Sequence, residues 1–207
     1  MQWRGRRQSR NIEDRRGMSG GSVAGIGGIG ALIIIVIGAL LGVDVTPLLE
    51  GGGQIQNSGP VEITEADQQA GEFVAVTLAD TEAVWTDIFA EQGIGTYDPA
   101  TLVLYKGGTQ SACGGASMQT GPFYCPVDKK VYLDTDFFTV MRQRLGAGGD
   151  FAAAYVVAHE IGHHVQDELG ILEKTTAYRQ QVDQTTSNQI SVLVELQADC
   201  YAGIWAR

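Results

Sequence analysis

The chain has 207 residues, 44% of them hydrophobic, with 28 glycines and a formal net charge of −10. That length allows one domain of moderate size plus an anchor. Six of the 14 basic residues fall within positions 1–21, against two of the 24 acidic ones, so the remainder is strongly acidic, which excludes nucleic-acid binding by the main domain.

Residues 1–21 form a basic head carrying Arg4, Arg6, Arg7, Arg10, Arg15 and Arg16. Residues 22–43 contain no charge, and Ala31 to Leu41 is strongly apolar. About 20 such residues cross a bilayer core, so a single transmembrane helix is expected over 22–43. A cleaved signal peptide competes with this reading, but no short apolar core followed by a small-residue cleavage site is evident. The arginines before the span, with Asp44 and Glu50 after it, place the N-terminus in the cytoplasm and the following domain outside it, as a single-pass protein of the cell membrane. Residues 44–60, with Pro47, Gly51 to Gly53 and Pro60, read as a linker, and 61–207 as the soluble domain.

Thr64-x-x-Asp67 resembles a capping box and opens a helical run through Phe73, Val74, Val76 and Leu78. A related pattern through Val84, Trp85, Ile88 and Phe89 ends at Gly93. Thr101–Tyr105 and Val131–Leu133 are β-prone, and the segment between them is rich in glycine, with Asp128-Lys129 at a hairpin turn. Cys113 and Cys125 lie twelve positions apart. On the outer side of a membrane they form a disulfide candidate worth about 3 kcal/mol in the chain-entropy picture; the alternative is that they help bind zinc. Cys200 is the odd cysteine and is expected to be a buried, inert thiol.

The richest chemistry lies in Ala158-His159-Glu160-Ile161-Gly162-His163-His164. A helix is predicted from Asp150, as N-cap, through Gln166, with a stop at Gly170. His159 and His163 then project from one face, one turn apart, and can share one Zn²⁺ with Glu160 beside it as general base. The bland alternative is a pair of solvated or hydrogen-bonded histidines, but their neighbours are apolar. The only other histidine, His164, points about 100° away, so a third ligand is a carboxylate or a cysteine. Glu195 and Asp199 share one face of a second apolar helix over Ile190–Ala206, read as mostly buried, which suits a ligand and a carboxylate that supports a liganding imidazole.

AYVVAHEIGHHVQ, ELQADCYAGIWA, CGGASMQTGPFYCPVDKKVYLD and the N-terminal EDRRG together resemble the bacterial membrane-anchored neutral zinc metallopeptidase family. More broadly the chain is similar to the gluzincins, in which H-E-x-x-H is followed by E-x-x-x-D on a later helix. The resemblance implies an α+β, zincin-like and mostly helical domain with a small β-sheet, acting on peptide or protein substrates. It implies zinc held by His159, His163 and Glu195, catalysis by Glu160, and Asp199 fixing the tautomer of His159. It also makes the segment from Phe123 to Leu133 the candidate substrate edge. Family members continue past the glutamate helix whereas this chain stops at Arg207, so a C-terminal part is expected to be missing. No oxyanion donor is identified, since Tyr155 and Tyr201 sit on packed helices. Two other readings stay open at this point: an inactive, zinc-stabilised membrane protein, and a metal amidase acting on a cell-wall peptide.

Overall fold

The computed structural model describes residues 1–17, 62–144 and 146–207. In chain order its elements are β1 (Ile12–Asp14), α1 (Glu65–Glu91), β2 (Thr101–Tyr105), β3 (Gly108–Ser111), β4 (Gly114–Ser117), β5 (Phe123–Cys125), β6 (Lys130–Asp134), α2 (Phe137–Arg144), α3 (Asp150–Glu168), α4 (Ile171–Arg179) and α5 (Gln184–Trp205). The result is a mixed helix-and-sheet architecture with five helices among the described residues.

Helix α1 begins at a true capping box. Thr64 Oγ1 accepts from the Asp67 backbone N–H, and the Asp67 carboxylate accepts from that of Thr64. With no Gly or Pro between Glu72 and Glu91, one continuous helix carries both apolar runs.

The main sheet has the order β1-β2-β6-β5, with β1 and β6 parallel to β2 and β5 antiparallel to β6. Alternation along the strands divides two cores. Leu102, Leu104, Val131 and Leu133 face the helices, where they meet Val74, Leu78, Val157 and Ile161. Val103, Tyr105 and Tyr132 face the other way, with Ala116 of the β3–β4 ribbon and Cys125. Each fully buried Val, Leu or Ile contributes about 1.5–3 kcal/mol over exposure. The β5–β6 hairpin turns through Asp128 and Lys129, the latter at φ 54°, and Cys113 is bonded to Cys125. The disulfide ties the start of the β4 ribbon to the edge strand.

Three expectations need correction. The first is the single-pass membrane topology. Residues 22–43 lie outside the described residues, and among those described no helix is long and apolar enough to cross a membrane. Residues 1–17 also do not form a head separate from the domain. β1 pairs with β2 over Ile12–Asp14, Trp3 packs edge-on against Phe73 in the main core, and Arg6 pairs with Asp80. Arg16 binds the Asp14 carboxylate and the Asp67 carbonyl, crossing α1 at Gly71, where a Cβ would come within 2.8 Å of its guanidinium. Residues on opposite sides of a bilayer cannot share a hydrogen-bonded sheet, which removes the basis for a cytoplasmic head and an extracytoplasmic domain.

The second correction concerns α5. It is amphipathic rather than mostly buried: only Ser187, Ala198 and Ala202 are buried, while Val192, Leu193 (64% exposed) and Leu196 face outward. Third, Cys200 sits on that helix and is exposed. An apolar residue count over the helix does not tell which of its faces is covered.

Candidate metal centre

Helix α3 is the buried spine of the molecule. Its N-cap is Gly149, one residue before the expected Asp150, and its side chains are continuously buried from Val156 to Gln166. Helix α5 crosses it closely because Gly162 has no side chain: a Cβ there would lie 2.8 Å from the carbonyl oxygen of Ala198. This approach brings three candidate ligands together. His159 Nε2 and His163 Nε2 lie 3.3 and 3.2 Å from the same Glu195 oxygen, Oε2. The two rings stand perpendicular with centroids 4.8 Å apart, and all three ligand atoms lie within 4.8 Å of one another.

The outer nitrogens are also engaged. His159 Nδ1 meets Asp199 Oδ1 at 2.9 Å, and Tyr155 donates its hydroxyl to the same oxygen at 3.0 Å. His163 Nδ1 meets Gln166 Oε1 at 2.8 Å. The acceptors on the Nδ1 side hold a proton there, so in the Nδ1–H tautomer that binds a metal each Nε2 turns a lone pair toward Glu195. Two lone pairs facing one carboxylate repel unless a cation or a proton lies among them. Burial disfavours charge on His159, but Asp199 and Glu195 override it and raise its pKa to about 10. Burial disfavours charge on Glu195 as well, but the two histidines beside it outweigh that and bring its pKa to about 2. Asp199 is lowered by His159 and Tyr155 against the cost of burial.

Glu160 is the anomaly. It is 1% exposed, and neither carboxylate oxygen has a hydrogen-bond partner. Burial pushes its pKa up, opposed by His159 and His163, while the Tyr124 backbone amide is close enough to oppose the rise without a hydrogen bond of normal geometry. An orphaned carboxylate in a protein interior needs an account. A divalent cation held by the two imidazoles and Glu195 would supply one. The N, N, O donor set suits zinc at an open site. The residues present therefore fit the metal.

Other residues singled out in the sequence go elsewhere. His164 faces away from the cluster: it lies 2.6 Å from the Asp98 carbonyl and 3.2 Å from the Tyr124 hydroxyl, and burial lowers its pKa. Cys113 and Cys125 are bonded to each other and take no part in the metal cluster. Of the segment 123–133, only β5 is at the sheet edge; β6 has neighbours on both sides. Gln166 and Tyr155 escaped sequence reasoning as supports. A Gln three residues past the second histidine was the only available signal for the first, and for the second the four-residue spacing from Tyr155 to His159.

The profile of a family described as "Putative neutral zinc metallopeptidase" matches residues 1–207. The chain belongs to that family. Among its relatives is "Uncharacterized protein YpfJ" of Escherichia coli (strain K12), 44% identical over 214 residues, which span 99% of this chain and 74% of that protein. "Uncharacterized protein Mb2605" of Mycobacterium bovis is 46% identical over 134 residues, spanning 64% of this chain and 42% of that one. No solved structure matches. The family's description thus agrees with the donor set, in that His159, His163 and Glu195 could hold one metal ion.

Proposed function

We propose that this protein is a zinc-dependent peptidase in which His159, His163 and Glu195 hold the metal and Glu160 is the general base. The observation that carries the proposal is the buried, unpartnered Glu160 carboxylate next to that trio. A metal held only for stability has no use for a fourth, orphaned carboxylate, whereas a hydrolase needs a base in that place.

When bound, zinc would polarise a peptide carbonyl and make a water acidic near neutral pH. The chain's own residues do the rest. Glu160, whose ionised form is disfavoured by burial, takes a proton from the attacking water at a carboxylate oxygen and passes it to the leaving amine. Asp199 and Gln166 keep both imidazoles in the Nδ1–H tautomer. Strand β5 ends the sheet among the described residues and its Tyr124 backbone lies by Glu160, so an extended peptide added there as a further strand would run beside the base. That makes an unfolded or extended segment the preferred substrate.

The test is metal analysis together with hydrolysis of a generic unfolded protein, with and without chelator. About one zinc per chain is expected, with activity lost on chelation and regained with zinc. Zinc bound without any hydrolysis would reduce the centre to a structural one, and no zinc after loading would remove it.

A further inference from the structure

We infer that Gln166 sets the height of α5 on α3, so that Glu195 is held level with the two ligand histidines. The inference rests on the metal reading above and adds a positioning residue to it. Gln166 is fully buried. A buried amide is costly unless its groups are bonded, and here they bond across the two helices that carry the ligands.

Its orientation follows from its partners. Nε2 lies 2.7 Å from the Val194 carbonyl oxygen, an acceptor only, so the amide N–H points there. A second Nε2 contact donates to Gln197 Oε1 at 3.0 Å. The amide oxygen is thereby turned to His163, where it accepts the Nδ1 proton at 2.8 Å. One side chain thus fixes the tautomer of one ligand and grips the peptide carbonyl directly before another, Glu195.

The placement forms a series. His159 on α3 meets Asp199 on α5, Gly162 meets Ala198, and Gln166 meets Val194. Polar ties therefore close both ends of the contact, and the closest backbone approach lies between them. Without the Gln166 tie, packing rather than a hydrogen bond opposes a pivot of α5 about the His159–Asp199 end. A pivot moves Glu195, four residues and one turn away, off its position 3.2–3.3 Å from both imidazoles. The plainer reading is an amide that merely fills core space, but an apolar residue would fill it without the cost of burying an amide.

The experiment measures zinc affinity of the full chain by competition with a chelating dye, well below the thermal midpoint, for wild type, Gln166→Met and Gln166→Glu. Circular dichroism follows the fold of each. Gln166→Met loses both functions and is expected to bind zinc 10–100-fold more weakly, the usual range for losing an outer support. Gln166→Glu, assayed at a pH high enough to ionise it, keeps an acceptor for His163 but offers no donor to the Val194 carbonyl, so it is expected to stay at least about tenfold weaker. Cobalt-loaded Gln166→Glu should show an altered visible spectrum, which a mere packing role would not produce.

Wild-type affinity in folded Gln166→Met overturns the inference. Recovery in Gln166→Glu to within about threefold of wild type overturns it as well, leaving only a role in orienting His163. Should Gln166→Met fail to fold, the nearly isosteric Glu variant decides. Absence of zinc binding by wild type itself would instead strike the metal reading, and the inference with it.

Discussion

Asp199 Oδ1 lies 2.9 Å from Nδ1 of His159, and the same oxygen accepts the Tyr155 hydroxyl at 3.0 Å. The imidazole that faces Glu195 is thus aimed from behind by a carboxylate that is itself held. Removing the carboxylate in Asp199→Ala should cost 10–100-fold in zinc affinity. Tyr155→Phe, which leaves Asp199 in place, should cost less. Dye competition on both variants checks the ranking; a larger loss in Tyr155→Phe would contradict it.

Zinc uptake should depend on pH. His159 has its pKa raised to about 10 by Asp199 and Glu195. A raised pKa means the ring carries a proton at neutral pH until the metal displaces it. Affinity should therefore rise with pH and keep rising above neutrality, approaching tenfold per unit while one proton is released. Calorimetry in buffers of different ionisation enthalpy counts that proton. Release of none at pH 7 would show that His159 is already neutral there.

A second pH effect concerns stability, away from the metal. Asp67, buried at the start of α1, bonds Lys106 at 2.8 Å and Thr64 at 2.7 Å, and these contacts outweigh burial to bring its pKa to about 2. Its unfolded value is about 3.9. The unfolded chain then binds the proton first as pH falls, so the contribution is present above about pH 4 and is lost toward pH 2. It amounts to about 2 kcal/mol, and Lys106→Met should remove most of it. Denaturant titrations of wild type and variant between pH 5 and 2 read the difference, using the pH range set by those two values.

Gly162→Ala probes the crossing of the two helices. The added Cβ lies 2.8 Å from the Ala198 carbonyl oxygen and 3.1 Å from its Cα, both backbone atoms that cannot turn aside. Overpacking of this kind costs about 1–3 kcal/mol. Since Ala198 precedes Asp199, zinc affinity should fall along with the melting temperature. Unchanged thermal unfolding would mean that α5 can shift freely.

The residues of the candidate centre were legible because a helix converts a four-residue spacing into a shared face: His159 with His163, and Glu195 with Asp199. The Thr64–Asp67 cap and the Thr101–Tyr105 strand were legible for equally local reasons. Gln166 was not, since a lone glutamine on a helix carries no sign of what it will meet on another. Strand β1 was missed for a different reason. Its partner β2 begins 87 residues after Asp14, and parallel pairing at that distance leaves no local trace beside six arginines that invite a topological reading. On α5 the apolar content predicts burial, yet Leu193 and Leu196 face outward, and it is the small Ala198 that meets Gly162.

The most direct measurement compares wild type with Glu160→Gln for both zinc content and hydrolysis of an unfolded protein. The substitution keeps size and removes the carboxylate that has no hydrogen-bond partner beside the trio. Zinc should remain bound at about one per chain, because Glu160 is not among the three candidate ligands, while hydrolysis falls by about 10²–10⁴-fold. Hydrolysis by Glu160→Gln at the wild-type rate, with zinc in place, would contradict the assignment of Glu160 as the base.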